Sequence, residues 1–215
     1  MTKSLTDLIT TLQYKLIDDG TRFTTTTCTE AIREALKDWN LRAPIHAADL
    51  ITVVTDQKEY EVTDIDVRAM DVLGVYIYDD TGKSDHELLD YDTYLEDERL
   101  FFRLREAQSS TEQLLVIYTI PQTINGLDSE TETTLSDHYA EILAGGAKAN
   151  AMQMRADSRI ETINLQQQVS DNYREQVQYL RDKFMRDLQA VAMRRNALKL
   201  PQDRSWNDEY QGWPI

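Results

Sequence analysis

The last third of the chain, from about Leu135 to Ala197, is an almost unbroken run of helix-forming residues, and it demands cover for two long apolar stripes. In its second half Val169, Tyr173, Val177, Leu180, Phe184, Leu188 and Val191 recur at spacings of four and three, which aligns them on one side of an α-helix. The first half carries Leu135, Tyr139, Ile142, Leu143, Gly146 and Ala149 at a similar period. Its middle, Ala144-Gly145-Gly146-Ala147-Lys148-Ala149, consists mostly of small residues. A helical glycine costs roughly 1 kcal/mol against alanine, so Gly145 and Gly146 are read as sites where another helix approaches closely. Short polar residues at Ala156-Asp157-Ser158-Arg159 predict the turn between two antiparallel helices.

The N-terminal residues supply further helices to cover the stripes. Leu5, Leu8, Ile9, Leu12 and Leu16 predict a helix over 4–18, with Ser4 and Asp7 as a capping box and Asp18-Asp19-Gly20 as its end. Thr27 and Glu30 repeat the capping pattern ahead of Cys28, Ile32, Ala35, Leu36 and Trp39, which predicts a second helix over 28–42, stopped before Pro44.

Between the two helical pairs the period changes. Residues 51–54, 60–62, 72–78, 100–104 and 114–120 are β-branched and aromatic runs that predict strands. Asp79-Asp80-Thr81-Gly82 predicts a hairpin turn, and Asp90–Asp97 a helix-like or irregular piece. The expected class is α+β: a four-helix bundle-like domain from 1–48 and 128–200, with a small antiparallel β-meander or sandwich inserted at 49–127. Residues 201–215 are an extended tail in which Trp206, Tyr210 and Trp213 stand among polar and charged residues. Such aromatics suit a docking strap.

Charge narrows the function. The formal net charge of −15 argues against a protein that grips nucleic-acid phosphates over a wide surface. From Asp49 to Leu100 there are 16 acidic and 4 basic residues; from Arg181 to Arg204 there are 7 basic and 3 acidic. The basic end of the last helix, with Arg181, Arg186, Arg194 and Arg195, is therefore expected to meet the acidic face of a neighbouring copy, and such head-to-tail contacts close into rings. Cys28 is the single cysteine, which rules out an intramolecular disulfide. No apolar run approaches the ~20 residues that span a bilayer, and the N-terminus has no signal-like segment, so the chain is expected to be soluble and to start near Met1.

Catalytic motifs are not legible. Gly145-Gly146-Ala147-Lys148 lacks the spacing and the following Ser or Thr of a phosphate loop. His46, His86 and His138 share no ligand-like spacing, and neither acidic cluster, Asp64 to Asp71 or Asp79 to Asp85, has both the glycine at the sixth and the glutamate at the twelfth position that an EF-hand loop needs. No cofactor, metal or catalytic residue is assigned.

The order of parts resembles the head-to-tail connector proteins of short-tailed phages, the adaptor or tail tubular protein A. The likeness rests on a helix ending in Leu16-Ile17-Asp18-Asp19-Gly20 and on a capped helix carrying Glu30-Ala31-Ile32-Arg33-Glu34-Ala35-Leu36-Lys37-Asp38-Trp39. Thr55-Asp56-Gln57-Lys58-Glu59-Tyr60-Glu61-Val62, then the strand Met70 to Tyr78, and the long closing helices complete it. Val62-Thr63 departs from the Leu-Pro ending common there. The resemblance implies a dodecameric ring at the head-tail junction of a virion, assembled in the host cytoplasm. Its helices would face the portal protein and its β part the tail nozzle, with genomic DNA passing non-specifically through the lumen. It implies no enzyme activity and no membrane contact. From a different class, the alternative is a monomeric binding module whose acidic β domain captures a basic partner or a cation.

Overall fold

The computed structural model describes residues 3–18, 20–78, 88–108, 113–160 and 167–197, without the side chains of 158–160, 167–171 and 195–197. These residues form a mixed α+β structure of four helices and two antiparallel three-stranded sheets. The chain divides into a helical unit, Met1–Ala43 with Gln122–Ala197, and a sheet unit, Pro44–Pro121.

In the helical unit α1 spans Leu5–Leu16. Its capping box forms as the sequence predicts: the Asp7 N–H donates to Ser4 Oγ at 3.3 Å, and the Ser4 N–H donates to Asp7 Oδ2 at 3.0 Å. Ile17 closes the helix in the left-handed region at φ 54°, an uncommon conformation for a β-branched residue. The Asp18 carboxylate then accepts from the N–H groups of Arg22 (3.2 Å) and Phe23 (2.7 Å), which fixes the turn into α2.

Helix α2 covers Thr25–Arg42, three residues earlier than the predicted start. The cap is Thr24, whose Oγ1 accepts from the Thr27 N–H at 3.3 Å. Thr27 and Glu30 therefore do not form the expected box, and Glu30 pairs with Arg33 instead. The buried face of α2 is Cys28, Ala31, Ile32, Ala35, Leu36 and Trp39.

Helices α3 (Asp137–Ile160) and α4 (Gln167–Ala197) complete the unit. The turn expected at 156–159 is not there: α3 runs through it, because extending an established helix by short polar residues costs far less than nucleating one. One apolar core joins all four helices, from Leu8 and Leu12 through Ile32 and Trp39 to Leu143, Phe184 and Leu188. Burial stabilises each large member by about 1.5–3 kcal/mol. Of the α4 stripe, Val177, Phe184, Leu188 and Val191 are buried, and Tyr173 and Leu180 are partly so.

Re-entry of the chain into this unit is held by a polar clamp. Asn40 of α2 accepts from the Gln122 N–H at 2.8 Å and donates to the Gln122 carbonyl at 3.2 Å. Thr134 Oγ1 accepts from the Thr123 N–H at 2.8 Å and donates to Gln122 Oε1 at 3.1 Å. The buried Thr123 hydroxyl in turn donates to the Glu132 carbonyl at 3.0 Å, so most of the polar groups brought inside by this re-entry are paired.

Of the two forms expected, meander or sandwich, the sheet unit is not a meander but two antiparallel sheets. One sheet has the order β1-β6-β3, from Ile45–Thr52, Gln113–Ile120 and Asp71–Tyr78. The other has the order β2-β5-β4, from Glu59–Glu61, Arg99–Leu104 and Tyr91–Glu96. β6, the last strand in sequence, lies between the first and third, pairing Ile45 with Ile120 and Val75 with Val116. β1 starts at Ile45, directly after Pro44, rather than near Leu50. The segment expected to be helix-like is strand β4, joined to β5 through Asp97 and Glu98, both at positive φ (49° and 66°). That is a two-residue hairpin turn of the kind that matches strand twist. Both sheets feed one core, including Tyr60, Phe102 and Leu104 from one and Val75, Leu114 and Val116 from the other, with Tyr60 stacked on Phe102 at 5.3 Å. The predicted hairpin turn at 79–82 lies outside the described residues.

Candidate interaction surface

The predicted close-packing glycines have different surroundings. A Cβ on Gly146 would stand 2.6 Å from the Phe184 ring, so α4 lies against the α3 backbone there. A Cβ on Gly145 would meet nothing within 4 Å, so Gly145 is not a packing site. Tyr173 of α4 donates from its hydroxyl to the Met152 carbonyl of α3 at 3.1 Å, adding a polar tie to the same pair of helices.

Arg181, Arg186 and Arg194 are all exposed on α4. A spacing of five turns Arg181 and Arg186 to different sides of the helix, so the basic residues surround its solvent face instead of forming one line. Arg186 Nε donates weakly to the Asp182 carbonyl at 3.4 Å. Arg195 belongs to α4, but its side chain falls outside the described residues, as do Trp206, Tyr210 and Trp213 of the tail.

On the sheet unit several acids are tied locally. Asp66 meets Arg68 at 3.0 Å, Glu61 meets Arg99 at 3.3 Å, and Asp49 accepts from the Tyr118 hydroxyl at 2.6 Å. Asp56, Asp64, Asp71, Asp92, Glu96, Asp97 and Glu98 are exposed. Burial, followed by the hydrogen bond to Asp49, pushes the Tyr118 phenol well above its ordinary range. The Arg68 guanidinium holds the Asp66 carboxyl below its own. Among the described residues no three His, Cys, Asp or Glu side chains are grouped to hold a metal ion; His46 lies in β1, His138 in α3, and His86 is outside the description.

Two features of the helical unit were not legible in the sequence. Tyr14 and Ile17 stand 85% and 92% exposed at the end of α1, an apolar pair brought into solvent by the helix terminus. Beside α1, Lys15 pairs with Glu141 of α3 at 2.7 Å on the rim of a groove that reaches α4. Lys15 is the first cause of the depressed Glu141 carboxyl, with Lys3, at 3.5 Å, adding to it. These residues lie more than a hundred positions apart, so no spacing rule brings them together. Among the described residues no helix is long and apolar enough to cross a membrane. No protein-family model matches the chain, and no curated protein is similar to it in sequence.

Proposed function

We propose that this chain is a structural virion protein, a head-to-tail adaptor that assembles as a homo-oligomeric ring, a dodecamer by its resemblance, between portal and tail. The observation that carries the reading is the division of labour along the chain. Two stretches on either side of residues 44–121 build one helical unit with its own core, and 44–121 build a separate, strongly acidic sheet unit with another. Two self-supporting parts of different chemistry suit a joint between two partners. On this reading the helical unit is a bundle that faces the portal protein and neighbouring copies, and the sheet unit faces the tail nozzle.

The remaining surface chemistry supports the same reading. The helical unit exposes Tyr14, Ile17, Leu41, Tyr179 and Met193, and oligomer interfaces are built from such side chains. An acidic chain lines a lumen without holding the DNA that passes through. The aromatic tail, with Trp206, Tyr210 and Trp213, would anchor on the portal or a neighbouring subunit. Nothing in this role requires catalysis or a cofactor.

The test is electron microscopy of the chain co-expressed with the portal protein from the same genome. An added layer with the portal's symmetry is the expected result. Bare portal rings beside a monomeric, folded chain would favour the alternative, a binding module for a basic partner or cation.

A further inference from the structure

The groove beside Lys15 holds about 420 Å³ and lies wholly within the helical unit. Its apolar floor comes from Ile142 of α3 and from Leu180 and Phe184 of α4, and its rim from Lys15, Lys148 and Lys183. Gly145 opens the floor, since it has no side chain and no neighbour within 4 Å of where one would begin. Glu141 and Asp187 also reach the groove, which leaves it one positive charge in surplus. Glu141 is engaged by Lys15, while Lys148 and Lys183 form no ion pair among the described residues. The occupant that suits such a groove has an apolar point with carboxylates beside it.

The sheet unit, taken by itself, presents a point of this kind. β4 ends in Leu95 and Glu96, and the chain turns through Asp97 and Glu98 into β5. Leu95 is 70% exposed, and the three acids that follow it are exposed and form no ion pair among the described residues. Arg99, the next residue, goes to Glu61 at 3.3 Å instead. Strand pairing runs to the very end, Leu95 with Leu100 and Glu96 with Arg99, so the tip is preformed and loses little conformational entropy on docking. Val67 is more exposed, at 83%, but it stands between Asp66 and Arg68, which neutralise each other. Charge on groove and tip is thus of opposite sign and locally uncompensated, the condition under which two surfaces select each other.

We propose that the β4–β5 tip of one copy docks in the groove of a second copy, with Leu95 over Ile142, Leu180 and Phe184 and with Glu96 and Glu98 towards Lys148 and Lys183. Groove and tip are different surfaces, so the contact is heterologous: every added copy still offers one of them to the next, and the series ends only by closing on itself. This contact rests on the ring reading and names the surfaces by which the copies meet.

Charge complementation tests it. The full chain is co-expressed with the portal protein, and sedimentation velocity measures the share of chain carried in a ring layer. Lys148→Glu with Lys183→Glu reverses the groove, and Glu96→Lys with Glu98→Lys reverses the tip; circular dichroism checks that each variant is folded. Either reversal alone is expected to cut assembly at least about tenfold, because two attractions become repulsions. Leu95→Ala should cut it as well, and a chain carrying both reversals should assemble again, since opposite charges then meet. Wild-type rings matched by both single reversals would overturn the docking and leave the adaptor reading standing. Loss in both single reversals without recovery in the combined chain would assign groove and tip to different partners, and full assembly of Leu95→Ala would remove the leucine from the contact; either result overturns the docking too. A wild-type chain that forms no ring with the portal overturns the docking and the adaptor reading together.

Discussion

The Phe184 ring of α4 lies where the side chain of any residue but glycine at position 146 of α3 would have to begin. This contact sets how closely the two long helices approach, and it separates two glycines that are adjacent in sequence. Gly146→Ala is expected to destabilise the helical unit by about 1–3 kcal/mol, the cost of overpacking partly offset by better helix propensity. Gly145→Ala should stabilise it by up to about 1 kcal/mol, since only propensity changes. Urea unfolding followed by circular dichroism measures both, and changes of the same sign would contradict the packing.

The caps give a second, local test. Thr24 accepts the Thr27 N–H, and Thr27 and Glu30 make no reciprocal pair. Thr24→Ala should therefore cost about 1 kcal/mol. Thr27→Ala loses only its 3.0 Å contact with the Thr24 hydroxyl and should cost less. A larger loss from Thr27→Ala would return the cap to the position that the sequence suggests.

That misplacement shows what the sequence could and could not reveal. The apolar stripes of α1, α2 and α4 were legible because burial repeats at the helical period. The start of α2 was not, because Thr24 to Thr27 are alike in chemistry and only their backbone distinguishes cap from first turn. Strand β4 was hidden by its acids, Asp92 and Glu96, and by a turn at Asp97-Glu98 made without glycine. The order β1-β6-β3 depends on pairing β1 with β6 over more than sixty residues, which no local pattern encodes. For the same reason the groove of Lys15, Glu141 and Lys183 was invisible, whereas the basic residues of α4 were legible as a cluster but not in their spread around the helix.

Stability should fall at both ends of the pH scale for separate reasons. In the helical unit Asp128 is held below the ordinary 3.8 by Arg33, bonded at 2.7 Å, and Glu141 below 4.5 by Lys15. A depressed carboxyl adds stability that is present above the ordinary value and lost as pH falls through the folded one. Acidification below about pH 4.5 should thus lower the melting temperature, and Asp128→Asn with Glu141→Gln should flatten that limb. An unchanged acid limb in the double variant would remove these pairs as its cause.

In the sheet unit the sign is reversed. The raised Tyr118 phenol contributes stability fully present below the ordinary 10.0 and lost as pH rises toward the folded value. Tyr118→Phe should cost about 1–2 kcal/mol at neutral pH, around the lower end of the range of about 1.5–3 kcal/mol for a hydrogen bond to a charged group, because exposed Asp49 regains water when its donor is removed. The same variant should lose less stability than wild type between pH 10 and 12. A steeper alkaline loss in Tyr118→Phe would show that the Tyr118–Asp49 bond does not govern this limb.

Charge reversal on α4 tests the assembly. Arg186 and Arg194 are exposed and outside the core, so turning both to Glu should leave folding intact; surface substitutions of this kind usually change stability by under about 0.5 kcal/mol. If the helix meets the acidic sheet unit of a neighbouring copy, each reversal replaces an attraction with a repulsion, and unlike a loss of packing the effect should weaken as salt rises. Sedimentation velocity of the chain with the portal protein proposed as its partner, in low and high salt, is the measurement. Loss of the ring at low salt with a folded monomer remaining is the expected outcome, and rings that form equally well in the double variant would place the subunit contact away from this face of α4.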